Sequence, residues 1–128
     1  MNPLISALCL SLALLALPAR AASHIVDIAW GTDGRFGHSG SVMPGKFLEV
    51  CGKFAVGDGV RWGFTASAPL DFNVHYHVGK ATEYPVKRNQ ITSAQDSLRV
   101  SALEVHCWMW TNKSGQAVTF QVQLQRES

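Results

Sequence analysis

The sequence predicts an all-β fold, an antiparallel β-sandwich of about six to eight strands held by one disulfide. Three observations predict it. After residue 22 no long stretch repeats apolar residues at i, i+3, i+4 and i+7. Strand-length runs alternate apolar and polar residues instead, between clusters of Gly, Pro, Asn, Asp and Ser. Residues 103–112, L-E-V-H-C-W-M-W-T-N, give the clearest such alternation around a cysteine. Once a leader is set aside, two cysteines remain as a single pair.

The leader comes first. Residues 4–17 are uncharged and mostly apolar, too short a run for a spanning helix, which needs about 20 apolar residues. Pro18 breaks a helix, and Ala19-Arg20-Ala21 has the small-x-small pattern of a signal-peptidase site, although the region before the apolar run carries no Lys or Arg. The reading is a cleaved signal peptide over residues 1–21 and a single β-sandwich domain over residues 22–128. A membrane anchor, or a lipid anchor on Cys9, is the competing reading; the run is short for the first and continues well past Cys9 for the second. No membrane span is expected after cleavage. The chain has 11 Lys+Arg and 9 Asp+Glu; losing Arg20 leaves ten against nine, near +1. Without a basic stripe or an acidic tail, nucleic acid is not an expected partner. Cys9 leaves with the leader, so Cys51 and Cys107 are expected to pair in an oxidising compartment. Closing a loop of about 56 residues stabilises by roughly 4 kcal/mol in the chain-entropy model.

Residues 23–30 (S-H-I-V-D-I-A-W) form a first strand. Residues 31–44 hold Gly31, Gly34, Gly37 and Gly40 with little apolar content and read as a mobile loop. Residues 46–54 form a second strand, with Phe47, Glu49 and Cys51 in one phase and Leu48, Val50 and Gly52 in the other; the conflict between phases suggests a bulge near Gly52. Gly57-Asp58-Gly59 makes a turn. Val60, Trp62 and Phe64 then point inward, and residues 67–70 read as a connection. Residues 71–78 place Phe72, Val74, Tyr76 and Val78 on one face and Asn73, His75 and His77 on the other. Residues 79–101 are the most polar segment, with an extended piece at residues 83–86 that Pro85 confines to an edge. Residues 91–102 fit a helical turn or another strand.

The strand at residues 103–112 is expected to be central. Alternation puts Leu103, Val105, Cys107 and Met109 on one side, read as the core side, and Glu104, His106, Trp108 and Trp110 on the other. Residues 112–115 (N-K-S-G) make a hairpin turn. They also match an N-glycosylation sequon, which matters only in a eukaryotic secretory pathway. Val118, Phe120, Val122 and Leu124 face inward on the last strand, with Thr119, Gln121 and Gln123 outward.

Gly57–Phe64 (G-D-G-V-R-W-G-F) followed by D-F-N-V, and the late C-W-M-W-T-N, resemble the middle of a GOLD (Golgi dynamics) domain over residues 47–125. The resemblance implies a β-sandwich that binds proteins or lipids without catalysis. In cargo receptors of that family two cysteines join across the sandwich, and Cys51 and Cys107 fall at comparable places. The chain departs from those receptors in having no coiled coil and no carboxy-terminal membrane helix, so the receptor role does not carry over.

His75 and His77 are the sharpest chemical feature. Two residues apart on a strand, their Cα atoms lie roughly 6.5–7 Å apart with both rings on one face. Two imidazoles converging this way suit copper or zinc; solvated strand residues are the plain alternative. His106 and Cys107 are sequence neighbours on opposite faces, so they do not form a nucleophile and base. Serine elbows, paired carboxylates and phosphate loops are absent from the sequence. The reading is an exported, periplasmic or secreted, non-catalytic binding module of GOLD-like type. Its protein or small ligand is expected on a sheet face bearing His75, His77, His106, Trp108 and Trp110; if both sides of the strand at residues 103–112 are covered, Trp108 and Trp110 are core packing instead. The alternative is a periplasmic copper-type metal-binding protein using His75 and His77.

Overall fold

The computed structural model describes residues 24–127. The leader expected over residues 1–21 lies outside the described residues. The described chain is all β, with strands β1 (His24–Asp27), β2 (Arg35–Val42), β3 (Phe47–Phe54), β4 (Gly59–Val78), β5 (Ala81–Arg99), β6 (Glu104–Thr111) and β7 (Val118–Glu127). They join into one seven-stranded sheet in the order β1-β3-β6-β4-β7-β2, with β5 on the other side of β4.

The 20-residue β4 explains how one sheet makes two layers. Its first half, Gly59 to Ala66, pairs with β7, and its second half, Asp71 to Tyr76, pairs with β6. The hairpin partner β5 follows both halves, with the register broken between Thr65 and Leu70. Pro69 cannot donate to a ladder and sits in that break. Opposite it, Gln90 takes a left-handed φ of 54°. Asp71 Oδ1 anchors it by accepting from the Gln90 backbone N–H at 3.0 Å and side-chain N–H at 2.8 Å. The first layer is therefore β1, β3, β6 and the second half of β4 with the start of β5. The second layer is β2, β7 and the first half of β4 with the end of β5.

Several expectations change. The connection at residues 67–70 is a bend within β4, and the undecided residues 91–102 mostly continue β5. The loop expected at residues 31–44 contains β2, which pairs over eight residues with β7. Its inward phase, Phe36, His38, Gly40 and Val42, carries too little apolar volume to register as a strand, but backbone pairing needs no side chain. The sheet is mixed rather than wholly antiparallel, since β1 lies parallel to β3. The β3–β6 ladder runs unbroken through Gly52, so no bulge forms; a Cβ there would stand 3.0 Å from Ile28 Cδ1, which packs over the glycine.

The core lies between the layers. Trp110 meets Phe64, Phe72 and Phe120 at ring-centroid distances of 5.6, 5.5 and 4.6 Å. Trp108 meets Phe54 at 5.8 Å. Both tryptophans are fully buried and His106 nearly so, whereas Leu103 and Val105 are exposed. The two faces of β6 are thus exchanged relative to the sequence reading: His106, Trp108 and Trp110 form the core side. Both phases are apolar, and burying the two indoles removes more surface from water than burying Val105, Cys107 and Met109. The loop after β6 is fixed by Asn112, fully buried, whose Nδ2 donates to the carbonyls of Val42 and Gln116. Its Oδ1 accepts from the Ser114 backbone N–H and hydroxyl. The sequon asparagine is a structural latch with its amide already engaged.

The Cys51–Cys107 disulfide is present. It joins directly opposed residues of neighbouring strands β3 and β6, so it staples one layer rather than bridging the two.

Candidate functional site

The outer face of the first layer follows from the register. Cys51, Cys107 and His75 stand in one row across β3, β6 and β4. Glu49, Met109 and Asn73 form the row beside it, and Lys53 faces Val105 beyond. The parallel edge strand adds Ile25 opposite Glu49. Tyr84 of β5 brings its ring to 6.0 Å from that of His75, with Lys87 Nζ 4.9 Å above it. Ile25, Val105 and Tyr84 are 61%, 48% and 48% exposed and add apolar surface to this outward face.

Of the five expected ligand-face residues, the structure brings His75 and His77 together, with ring centroids 5.3 Å apart. It does not bring His106, Trp108 or Trp110 to them; those three sit under the same strands, facing the core. His106 stacks on Tyr76 at 4.7 Å and its Nδ1 donates to the Glu104 carbonyl at 3.0 Å. His77 is exposed, with Nδ1 3.1 Å from the Thr82 hydroxyl. His75 is buried, and its Nδ1–H donates to Asn73 Oδ1 at 2.8 Å, leaving Nε2 as a free lone pair 3.7 Å from Glu49 Oε2. Glu49 is the member that sequence reasoning missed. Its signal was there, since it shares the phase of Cys51 two residues on.

Burial pushes the Glu49 carboxyl above its ordinary 4.5, and the charge of His77 offsets part of the rise. Burial pulls His75 below its ordinary 6.5, with His77 and His106 acting in the same direction. The signs set the pH dependence. Glu49, raised in the fold, contributes stability that is fully present below pH 4.5 and is lost as pH rises through its folded value. His75, lowered in the fold, contributes stability present above pH 6.5 and lost as pH falls through its folded value. Glu49→Gln is therefore expected to raise the melting temperature at pH 7 and to leave it unchanged near pH ~3.5, where both side chains are neutral. Circular-dichroism melts at the two pH values check this, and an equal shift at both contradicts it.

The second layer presents a different surface. Residues of β2, β7, the first half of β4 and the end of β5 form an open groove of mixed polar and apolar lining, including Arg35, Phe36, Arg61, Trp62, Gln95 and Gln123. The alternation of Thr119, Gln121 and Gln123 was its sequence signal.

No protein-family model matches the chain, and no curated protein is similar to it in sequence. Solved structures share its fold. PliG of Aeromonas hydrophila, a periplasmic inhibitor of g-type lysozyme, is 13% identical with a TM-score of 0.63, over 84% of this chain and 100% of that one. PliG of Salmonella Typhimurium is 10% identical with a TM-score of 0.58, over 83% and 100%. The pre-peptidase C-terminal domain of a Bacillus anthracis collagenase is 7% identical with a TM-score of 0.58, over 83% and 98%. No helix among the described residues is long and apolar enough to cross a membrane.

Proposed function

We propose that this chain is an exported, non-catalytic binding module that docks a protein partner on the outer face of its first layer. The observation that carries the reading is the set of exposed apolar side chains there, Ile25, Val105 and Tyr84, around the buried row of His75 and the disulfide. Aromatic and aliphatic anchors surrounded by polar residues are the composition of a protein-binding patch. Lys53, Lys87 and Asp27 supply such a rim. The fold shared with two periplasmic lysozyme inhibitors supports both export and a protein partner, and makes a lysozyme-type wall hydrolase the first partner to try. The Golgi-dynamics resemblance contributes only its non-catalytic binding character. His75 and His77 enter as part of the docking face, His77 at its surface and His75 beneath it.

Calorimetric titration of the mature domain with a goose-type lysozyme, alongside a wall-lysis assay, tests the reading. Binding is expected to weaken at least about tenfold in Tyr84→Ala and in Val105→Asp, and to be unchanged in Gln123→Ala on the other layer. Absence of binding contradicts the partner class. Equal affinity in all four proteins contradicts the face.

A further inference from the structure

Three potential ligand groups, Glu49, Cys51 and Cys107, meet on the outer face of the first layer, and His75 approaches the carboxylate from the neighbouring strand. Glu49 Oε2 lies 3.6 Å from Cys51 Sγ and 3.7 Å from His75 Nε2. The ligand atoms of Glu49, Cys51 and Cys107 all lie within 4.8 Å of one another. His75 stands directly opposite Cys107 in the ladder. Its Nδ1–H is held by Asn73 Oδ1, the arrangement by which a metal-ligating histidine is oriented through its other nitrogen, and its Nε2 lone pair faces the cluster. None of these positions depends on a loop: three neighbouring strands in unbroken register supply them.

The spacings carry the inference. With Zn–N and Zn–O near 2.0–2.1 Å and Zn–S near 2.3 Å, the edges of a tetrahedral site are about 3.3–3.5 Å for N···O and S···O pairs, and about 3.8 Å for two sulfurs. The S···O and N···O edges are nearly in place. The sulfur–sulfur edge is closed by the covalent bond, and His75 lies outside the set whose ligand atoms are all within 4.8 Å of one another, so its edges to the two sulfurs must form by side-chain rotation on reduction. We propose that reduction of the Cys51–Cys107 disulfide turns this cluster into a tetrahedral zinc-type site, with Cys51 Sγ, Cys107 Sγ, His75 Nε2 and Glu49 Oε2 as its ligands. Two thiolates with one imidazole and one carboxylate select zinc over hard, oxygen-seeking cations.

The chemistry balances in two steps. A dithiol donor gives two electrons and two protons to the disulfide; its S–S bond breaks, Cys51 and Cys107 become thiols, and the donor leaves as its own disulfide. Zn²⁺ then displaces the two thiol protons to solvent as the thiolates bind it. The sulfurs separate by side-chain rotation within the buried row on the outer side, while Val50 and Trp108 on the inner side keep the two strands in register. The disulfide and the metal thus replace one another at the same point of the same ladder, and the site does not depend on the partner proposed above. His77 is not part of the proposed ligand set, which rests on the groups around Glu49 Oε2.

Cobalt(II) titration of the mature domain, oxidised and after reduction with a phosphine, tests this, followed by displacement with zinc. The reduced domain is expected to bind one cobalt with the intense absorption of tetrahedral thiolate coordination, and the oxidised domain none. His75→Ala and Glu49→Gln are each expected to weaken the reduced site at least about tenfold, and His77→Ala to leave it unchanged. If reduction unfolds the domain, zinc is expected to restore its strand circular dichroism. Failure of the reduced domain to bind cobalt, failure of zinc to refold an unfolded one, or a thiolate–cobalt signature indifferent to both His75 and Glu49 overturns the proposal.

Discussion

Trp110→Ala is expected to destabilise the domain by about 3–5 kcal/mol, the range for truncating a fully buried aromatic ring. The ring is enclosed by Phe64 and Phe72 of β4 and Phe120 of β7, so its loss opens a cavity where the two layers meet. With about 4–8 °C of melting temperature per kcal/mol at this size, the fall is on the order of 15 °C or more. A thermal melt reads it directly. The same variant separates the two roles a surface-or-core tryptophan can have. A ligand-face residue loses binding with its stability intact. A variant that melts near the wild-type temperature contradicts the core assignment of the inner face of β6.

Removing the disulfide is the second large effect. Cys51→Ala with Cys107→Ala is expected to cost about 2–4 kcal/mol, mostly by releasing the loop between them in the unfolded chain. The value should fall at or below the chain-entropy figure, because the β3–β6 ladder already holds the two strands in register without the bond. Urea denaturation of the oxidised protein and the double variant measures it, using the midpoint and slope of each transition. A difference under about 1 kcal/mol contradicts a stabilising role.

Much of the fold was legible where one phase of a strand is apolar and the other polar. Val118, Phe120, Val122 and Leu124 were read inward and are buried; Pro85 was read as an edge residue and lies on β5, an edge. The cysteine pair was legible from arithmetic. What alternation cannot supply is the choice of side when both phases are apolar. In β6 the sets Val105/Cys107/Met109 and His106/Trp108/Trp110 compete, and the indoles win because the space between two aromatic-rich layers accommodates them. Taking cysteine as the mark of the core side misled, since a disulfide between neighbouring strands can face outward as readily as inward. Strand β2 escaped detection because its ladder is built on Gly and Ser backbones. The bend of β4 escaped because its hydrogen-bond partners change halfway along, which only the long-range pairing reveals. Half of the candidate site was visible as His75 and His77; Glu49 was visible only as a phase-mate of Cys51, and its approach to His75 depends on β6 lying between their strands.

The central claim is that the outer face of the first layer is where this protein meets its partner. Hydroxyl-radical footprinting of the domain with and without a goose-type lysozyme tests it most directly, because Met109, His77 and Tyr84 are reactive side chains on that face. Protection of these three on complex formation, with the outward residues Arg35 and Gln123 of the second layer labelled as before, is the expected result. Protection confined to β2 and β7, with Met109, His77 and Tyr84 still labelled, would contradict it.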